Sequence, residues 1–257
     1  MGKLPINSDT KNTQSISFPQ EPLWNETLDV LQQAKNIEIL ADAKAIAEVL
    51  PFNSKETRAR YGRAIATRFS RIEKKSLSGF VDIKASEIGS KIADKIWRVL
   101  FCQIEPIVAQ TYLELLWPRE PGSPINRNEI KSYVETAFKQ QSNKLNQRIV
   151  NCLRQAGYIL VQNKDNLFIV GLSDLEKALI VTTHLLFAQT PRTIKLSDVE
   201  SSNYWKFLGY RKFDHVKYDF RSAESKGLLM RYAVVDHLEQ ITSKYSWPEI
   251  LKKIKLH

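Results

Sequence analysis

The stretch Ser142-Asn-Lys-Leu-Asn-Gln-Arg-Ile-Val-Asn-Cys-Leu-Arg-Gln-Ala-Gly157 reads as a single amphipathic helix. Ser142 can cap it, Leu145, Ile149, Leu153 and Ala156 recur on one face, and Gly157 suits the left-handed residue that ends a helix. Two short β-prone runs follow, Tyr158-Ile-Leu-Val-Gln162 and Leu167-Phe-Ile-Val170, around the polar turn Asn163-Lys-Asp-Asn166. That pattern predicts a β-hairpin. Upstream, Asn126 can cap a further helix running to about residue 139, and a helical pattern covers about 104–116. Helix, helix, helix, hairpin is the order of a winged helix, in which the helix before the hairpin is the recognition helix.

The polar arc of that helix carries Lys144, Gln147, Arg148, Asn151 and Gln155, with Arg154 beside it and no acidic residue anywhere along it. Arg, Gln and Asn can make paired hydrogen bonds to base edges in a major groove. Lys144, Gln147, Arg148 and Asn151 are therefore candidate DNA contacts, with Lys164 at the hairpin tip placed to reach a neighbouring phosphate. An ordinary polar surface has the same composition, and winged helices also serve as protein-docking modules.

A second basic element lies upstream. Residues 54–75 hold eight Lys or Arg against two Glu, a net +6 out of +10 for all 257 residues. Tyr61, Ile65, Phe69 and Ile72 form an apolar stripe at helical spacing. The adjoining arc presents Arg60, Arg63, Arg68, Arg71, Lys74 and Lys75, and Arg58 belongs to the same cationic set. Unneutralised like charges three and four residues apart repel, so this density points to an anionic partner, nucleic acid first. A shorter helix over about 41–50 and the break Pro51-Phe-Asn-Ser54 precede it, giving the form of a helix-turn-helix. An anionic membrane fits less well, because the apolar stripe is narrow.

The remaining segments complete an all-α fold class with small β-hairpin wings. Residues 1–20 read as a flexible arm, and 21–116 as a helical domain containing the basic helix pair. The Pro-rich run Trp117-Pro-Arg-Glu-Pro-Gly-Ser-Pro124 divides domains or forms a surface loop, with 117–171 completing the winged-helix module. Residues 76–84 read as a loop or short extended piece. Beyond 172 the patterns predict helices at 175–187, 195–208 and 215–226, a strand at 228–235, and helical pieces from Asp236 and Pro248. These fit either a second winged-helix-like unit or the remainder of a helical domain.

Composition excludes several classes. No apolar run approaches the roughly 20 residues needed to span a bilayer, and the first residues lack a hydrophobic signal core, so a cytoplasmic protein is expected. Cys102 and Cys152 lie in apolar helical patterns and read as small hydrophobes rather than a disulfide or a catalytic thiol. His184, His215, His237 and His257 show no metal-ligand spacing, and no phosphate-binding glycine loop or nucleophile elbow is present. Glu120 with Glu129-Ile-Lys131, or Asp82-Ile-Lys84, is only a weak match to a metal-dependent nuclease. The expectation is a protein without enzymatic activity, cofactor or metal.

Three stretches resemble the BrxA-like family, accessory proteins of BREX bacteriophage-exclusion systems. Residues 45–69 are similar to its opening helix, turn and Arg-rich helix. Residues 96–112 are similar to its central helices, and 145–158 to its helix entering a short hairpin. The resemblance implies a mainly helical protein that binds double-stranded DNA without cleaving it, beside other proteins of the same defence system. The polar arm and the loop at 117–124 depart from that pattern. An RNA-binding helical protein, using Tyr61 or Tyr158 to stack bases, and a protein–protein scaffold are the alternative readings.

Overall fold

The computed structural model describes residues 21–34, 37–86, 88–139, 141–163 and 166–256. Lys164 and the arm 1–20 lie outside the described residues. The chain is mostly helical, with two small antiparallel sheets of three strands each.

The first helices are α1 (Trp24–Gln33), a 3-10 turn (Ile39–Ala41), α2 (Ala43–Val49), α3 (Lys55–Phe69), α4 (Lys74–Ala85) and α5 (Ser90–Ile104). Trp97 of α5 is wholly buried and organises this half. Its ring meets Trp24 at 6.0 Å, Phe80 at 5.8 Å and Phe69 and Phe101 at 6.2 Å between centroids. α2 and α3 approach closely because Gly62 has no side chain. A Cβ there would lie 2.5 Å from the Ala43 carbonyl oxygen and 3.0 Å from the Ala47 Cβ.

Two expectations fail in this half. The basic helix stops at Phe69, and Lys74 and Lys75 open α4 instead of extending the α3 face. Residues 76–84 are helical, not a loop. Ser76, Ser78 and Gly79 depress helix propensity, but Leu77, Phe80 and Ile83 are all buried, and packing outweighs the local preference. Gly79 is there for fit, since a Cβ would meet Leu185 at 2.5 Å and Trp247 at 3.2 Å.

From residue 106 onward one topology occurs twice. In the first unit α6 (Pro106–Thr111) runs into a π-helical turn (Tyr112–Leu116), followed by β1 (Pro124–Asn126), α7 (Arg127–Phe138), α8 (Asn143–Gln155), β2 (Ile159–Val161) and β3 (Asn166–Ile169). In the second, α9 (Glu176–Phe187) is followed by β4 (Thr193–Lys195), α10 (Leu196–Ser201), α11 (Tyr204–Leu208), α12 (Phe213–Ser225), β5 (Leu229–Val235) and β6 (Leu238–Ser243); α13 (Trp247–Leu256) ends the described chain. The sheet orders correspond, β1-β3-β2 and β4-β6-β5.

The last long helix of each unit ends in the same hydrogen-bonded cap. Gly157 and Gly227 adopt φ of 73° and 71°. Tyr158 N–H donates to Leu153 O at 2.9 Å and Leu228 N–H to Ala223 O at 2.8 Å. One residue earlier, Gly157 donates to Arg154 O and Gly227 to Glu224 O. Both are Schellman caps, which satisfy orphaned carbonyls and turn the chain sharply into the following strand.

The second unit departs from its sequence reading at two places. Residues 195–208 form two short helices rather than one, because Asn203 takes a left-handed φ of 58° between them. From Asp236 the chain forms a strand, not a helix. Asp236 and His237 both have positive φ and make a two-residue hairpin turn, and Leu238–Ser243 returns along β5. Asp-His is an unusual pair for such a turn, and Leu-Glu-Gln-Ile has no clear two-residue alternation.

Buried side chains from Leu23 to Ile254 form one contiguous core. Polar threads cross it. Tyr112 and Tyr158 stack at 3.8 Å, and their hydroxyls donate to Lys206 O and Phe207 O, both at 2.9 Å, which ties the first unit to α11. Trp247 Nε1 donates to Asp82 Oδ2 at 3.0 Å, fastening α13 to α4. Among the described residues no single helix is long and apolar enough to cross a membrane.

Candidate nucleic-acid interface

α8 is positioned by its ends. The Ser142 hydroxyl accepts from Leu145 N–H at 3.3 Å, and the Schellman cap closes the other terminus. Leu145, Ile149, Val150, Cys152 and Leu153 are buried, so the helix seats firmly on the core. Lys144 and Gln147 are exposed, and Arg148 and Asn151 half-buried, on the outward side. Gln147 donates to Asn151 Oδ1 at 3.1 Å and accepts from Arg127 Nη1 of α7 at 3.4 Å. This chain of hydrogen bonds holds both amides at a set spacing. Arg148 Nε is buried and has no hydrogen-bond partner among the described residues.

The C-terminal end of the same face is occupied. Gln155 Oε1 accepts from Trp24 N–H at 3.1 Å, so α1 begins against it. The open part of the face is the stretch from Lys144 to Asn151. α7 supplies its flank through a capping box, in which Asn126 and Glu129 exchange hydrogen bonds and Glu129 also pairs with Arg119 at 2.7 Å. That duty fully accounts for Glu129. Asp82, the other acidic residue of the nuclease-like patterns, accepts from Trp247. Among the described residues no three His, Cys, Asp or Glu side chains gather as a metal would require.

α3 presents Arg60 and Arg63 to solvent. Arg71 is exposed just beyond its end, and Lys74 and Lys75 are exposed at the start of α4. Arg60 lies 4.8 Å from the Tyr61 ring centroid, and Tyr61 packs edge-on against Phe52 at 5.0 Å. Arg58 is half-buried, its Nη1 donating to Phe52 O at 2.8 Å, which braces the turn before the helix.

Arg68 must be removed from the candidate contacts. It is 2% exposed. Its Nε lies 3.1 Å from Glu105 Oε1, Nη1 donates to Pro22 O at 2.6 Å, and Nη2 donates to Glu21 O. Helical projection places it on the cationic arc, but the segment leading into α1 and the α5–α6 junction cover that side of α3. Glu105 is buried with it. Desolvation raises its carboxyl pKa, and the attraction of Arg68 works in the opposite direction. Cys152 on the inner face of α8 lies close enough to Glu105 and Arg68 to feel both charges. The two candidate helices thus back onto one buried ion pair.

Tyr158 is also misplaced as an exposed stacking group, since it is buried against Tyr112. Both cysteines are buried and neither is in a disulfide. Burial pushes Cys102 up to about 12 and raises Cys152 as well, which removes thiolate character near neutral pH. The exposed aromatic residue that sequence inspection passes over is Tyr218 on α12, 71% exposed. Lys217 and Asp219 flank it, and it lies off the face of α12 that buries Val216, Phe220 and Ala223.

No protein-family model, curated protein or solved structure matches this chain.

Proposed function

We propose that the chain binds double-stranded DNA without acting on it as an enzyme, as an accessory protein of a BREX-like anti-phage defence system. The DNA reading rests above all on α8: an acid-free helix, third in a helix–strand–helix–helix–strand–strand unit, whose open face carries Lys144, Gln147, Arg148 and Asn151. We read both units as winged helices, with α8 as the recognition helix of the first. The linked amides of Gln147 and Asn151 suit base edges. Lys144 and the half-buried Arg148 side chain suit phosphate. Arg60, Arg63, Arg71, Lys74 and Lys75 would add sequence-independent phosphate contacts. The defence assignment rests on the BrxA-like resemblance of residues 45–69, 96–112 and 145–158.

The burial of Tyr158 and the packing of Tyr61 against Phe52 weaken the RNA alternative, which needs free rings for stacking. The test is titration of a labelled random-sequence duplex over a salt series. Affinity should fall steeply with salt, and Lys144→Ala with Arg148→Ala should weaken binding and flatten the slope by about one unit for each phosphate that is no longer neutralised. Absence of binding at low salt refutes the DNA reading.

A further inference from the structure

The second hairpin has a surface that DNA binding does not explain. Met230, Val234, Val235 and Leu238 are 61%, 60%, 49% and 54% exposed. The other large exposed apolar residues outside this unit, Val49, Leu160 and Leu256, lie on separate elements. β5 is also an open edge, because the sheet order is β4-β6-β5. Val235 and Leu238 close the two-residue turn, so the backbone groups of Tyr232 and Val234 point away from β6. A regular, apolar edge of this kind templates strand pairing. The irregularity at Met230, between Leu229 and Arg231, leaves residues 231–235 regular.

Charge selects the occupant. Elsewhere a molecule of net +10 repels its own copies. At the hairpin, Arg231 and Asp236 offset each other. Glu239 is paired within the chain with Lys217 and with Arg221 at 3.9 Å, and it accepts a hydrogen bond from the Tyr232 hydroxyl at 2.8 Å. This near-neutral edge suits neither an anionic polymer nor a strongly charged protein.

We propose that β5 is a self-association edge, through which two copies of this chain pair antiparallel about a two-fold axis at Ala233. That register sets Tyr232 opposite Val234 of the second copy, twice over by symmetry. Aromatic with β-branched is among the favourable cross-strand pairs. Arg231 falls opposite Val235 of the second copy and next to its Asp236, and the two Arg231 side chains sit at opposite ends of the ribbon. Every residue of the regular edge is used, and no like charges face each other.

The test uses the full chain after nuclease treatment and without DNA, so it succeeds or fails independently of the DNA reading. Sedimentation across the micromolar range should show a dimer. Val234→Lys with Val235→Lys should give a monomer that keeps the wild-type far-ultraviolet spectrum and unfolds cooperatively, with a midpoint that no longer rises with concentration. The register is checked by Ala233→Cys, because partners in a non-hydrogen-bonded pair lie about 4.5 Å apart at Cα, within disulfide reach. Oxidation should link Ala233→Cys into a dimer but leave Val235→Cys unlinked, since its symmetry mate is about 13 Å away along the ribbon. The buried native thiols keep the background low. A wild-type monomer throughout, or a dimer that survives the double lysine variant, overturns the proposal. Cross-linking of Val235→Cys but not Ala233→Cys overturns the register.

Discussion

At the scale of single residues, two buried charges or potential charges control stability. His184 of α9 is wholly buried, with Nδ1 at 2.8 Å from Ile180 O and Nε2 without a partner among the described residues. Desolvation lowers its pKa from 6.5 to about 4, partly offset by the Ile180 hydrogen bond. Folded His184 is therefore neutral, while the unfolded chain takes up a proton below pH 6.5. Stability from this group is complete above that pH and declines as pH falls towards 4, by about 3 kcal/mol in all. Urea unfolding at neutral and acidic pH should show that His184→Leu loses less stability on acidification by roughly that amount. Arg68 makes the other case. Arg68→Ala leaves Glu105 buried without its countercharge and should cost about 3–5 kcal/mol in urea unfolding. Arg60→Ala and Arg63→Ala, both at the surface, should change stability by less than about 0.5 kcal/mol.

At the scale of elements, the α2–α3 pair depends on one missing side chain. Gly62→Val drives a branched side chain into the Ala43 carbonyl and the Ala47 methyl. The helices must separate, and a loss of about 1–3 kcal/mol is expected, read from the urea midpoint. The far-ultraviolet spectrum should keep its helical shape, because α3 retains its own hydrogen bonds. The α3 break at Ser70–Glu73 and the helix α4 belong to the same lesson. Leu77, Phe80 and Ile83 do recur at helical spacing, but three weak helix formers among them mask the signal. The capping residues were far easier to read. Asn126 and Ser142 each accept the backbone hydrogen bond that their positions before apolar runs foretell.

At the scale of the whole molecule, the helices that carry the two cationic faces share one buried support. Arg68 and Glu105 sit behind α3, Cys152 of α8 lies near them, and the chain entering α1 touches both helices, Pro22 O accepting from Arg68 and Trp24 N–H donating to Gln155. If both faces meet the same duplex, the α8 variants and an Arg60→Ala, Arg63→Ala, Arg71→Ala variant should lower the salt slope additively. If only α8 binds, the triple variant will leave the slope unchanged.

The sequence alone determined the helical character, the cap residues and the acid-free outer arc of α8. These depend on nearest neighbours and helical period, which one chain displays in full. The first hairpin was legible for the same reason, as two β-prone runs around a polar turn. Only the tertiary structure decided that Arg68 is internal, that Tyr158 is buried and that Tyr218 is exposed, because each depends on which distant element covers a given side of a helix. It also decided the second hairpin and the repeated topology. There the turn is Asp-His, the returning strand has no clear alternation, and the pairing β4-β6-β5 joins residues about fifty positions apart. Local preference cannot report a contact of that range, since its free energy exists only once both partners are in place.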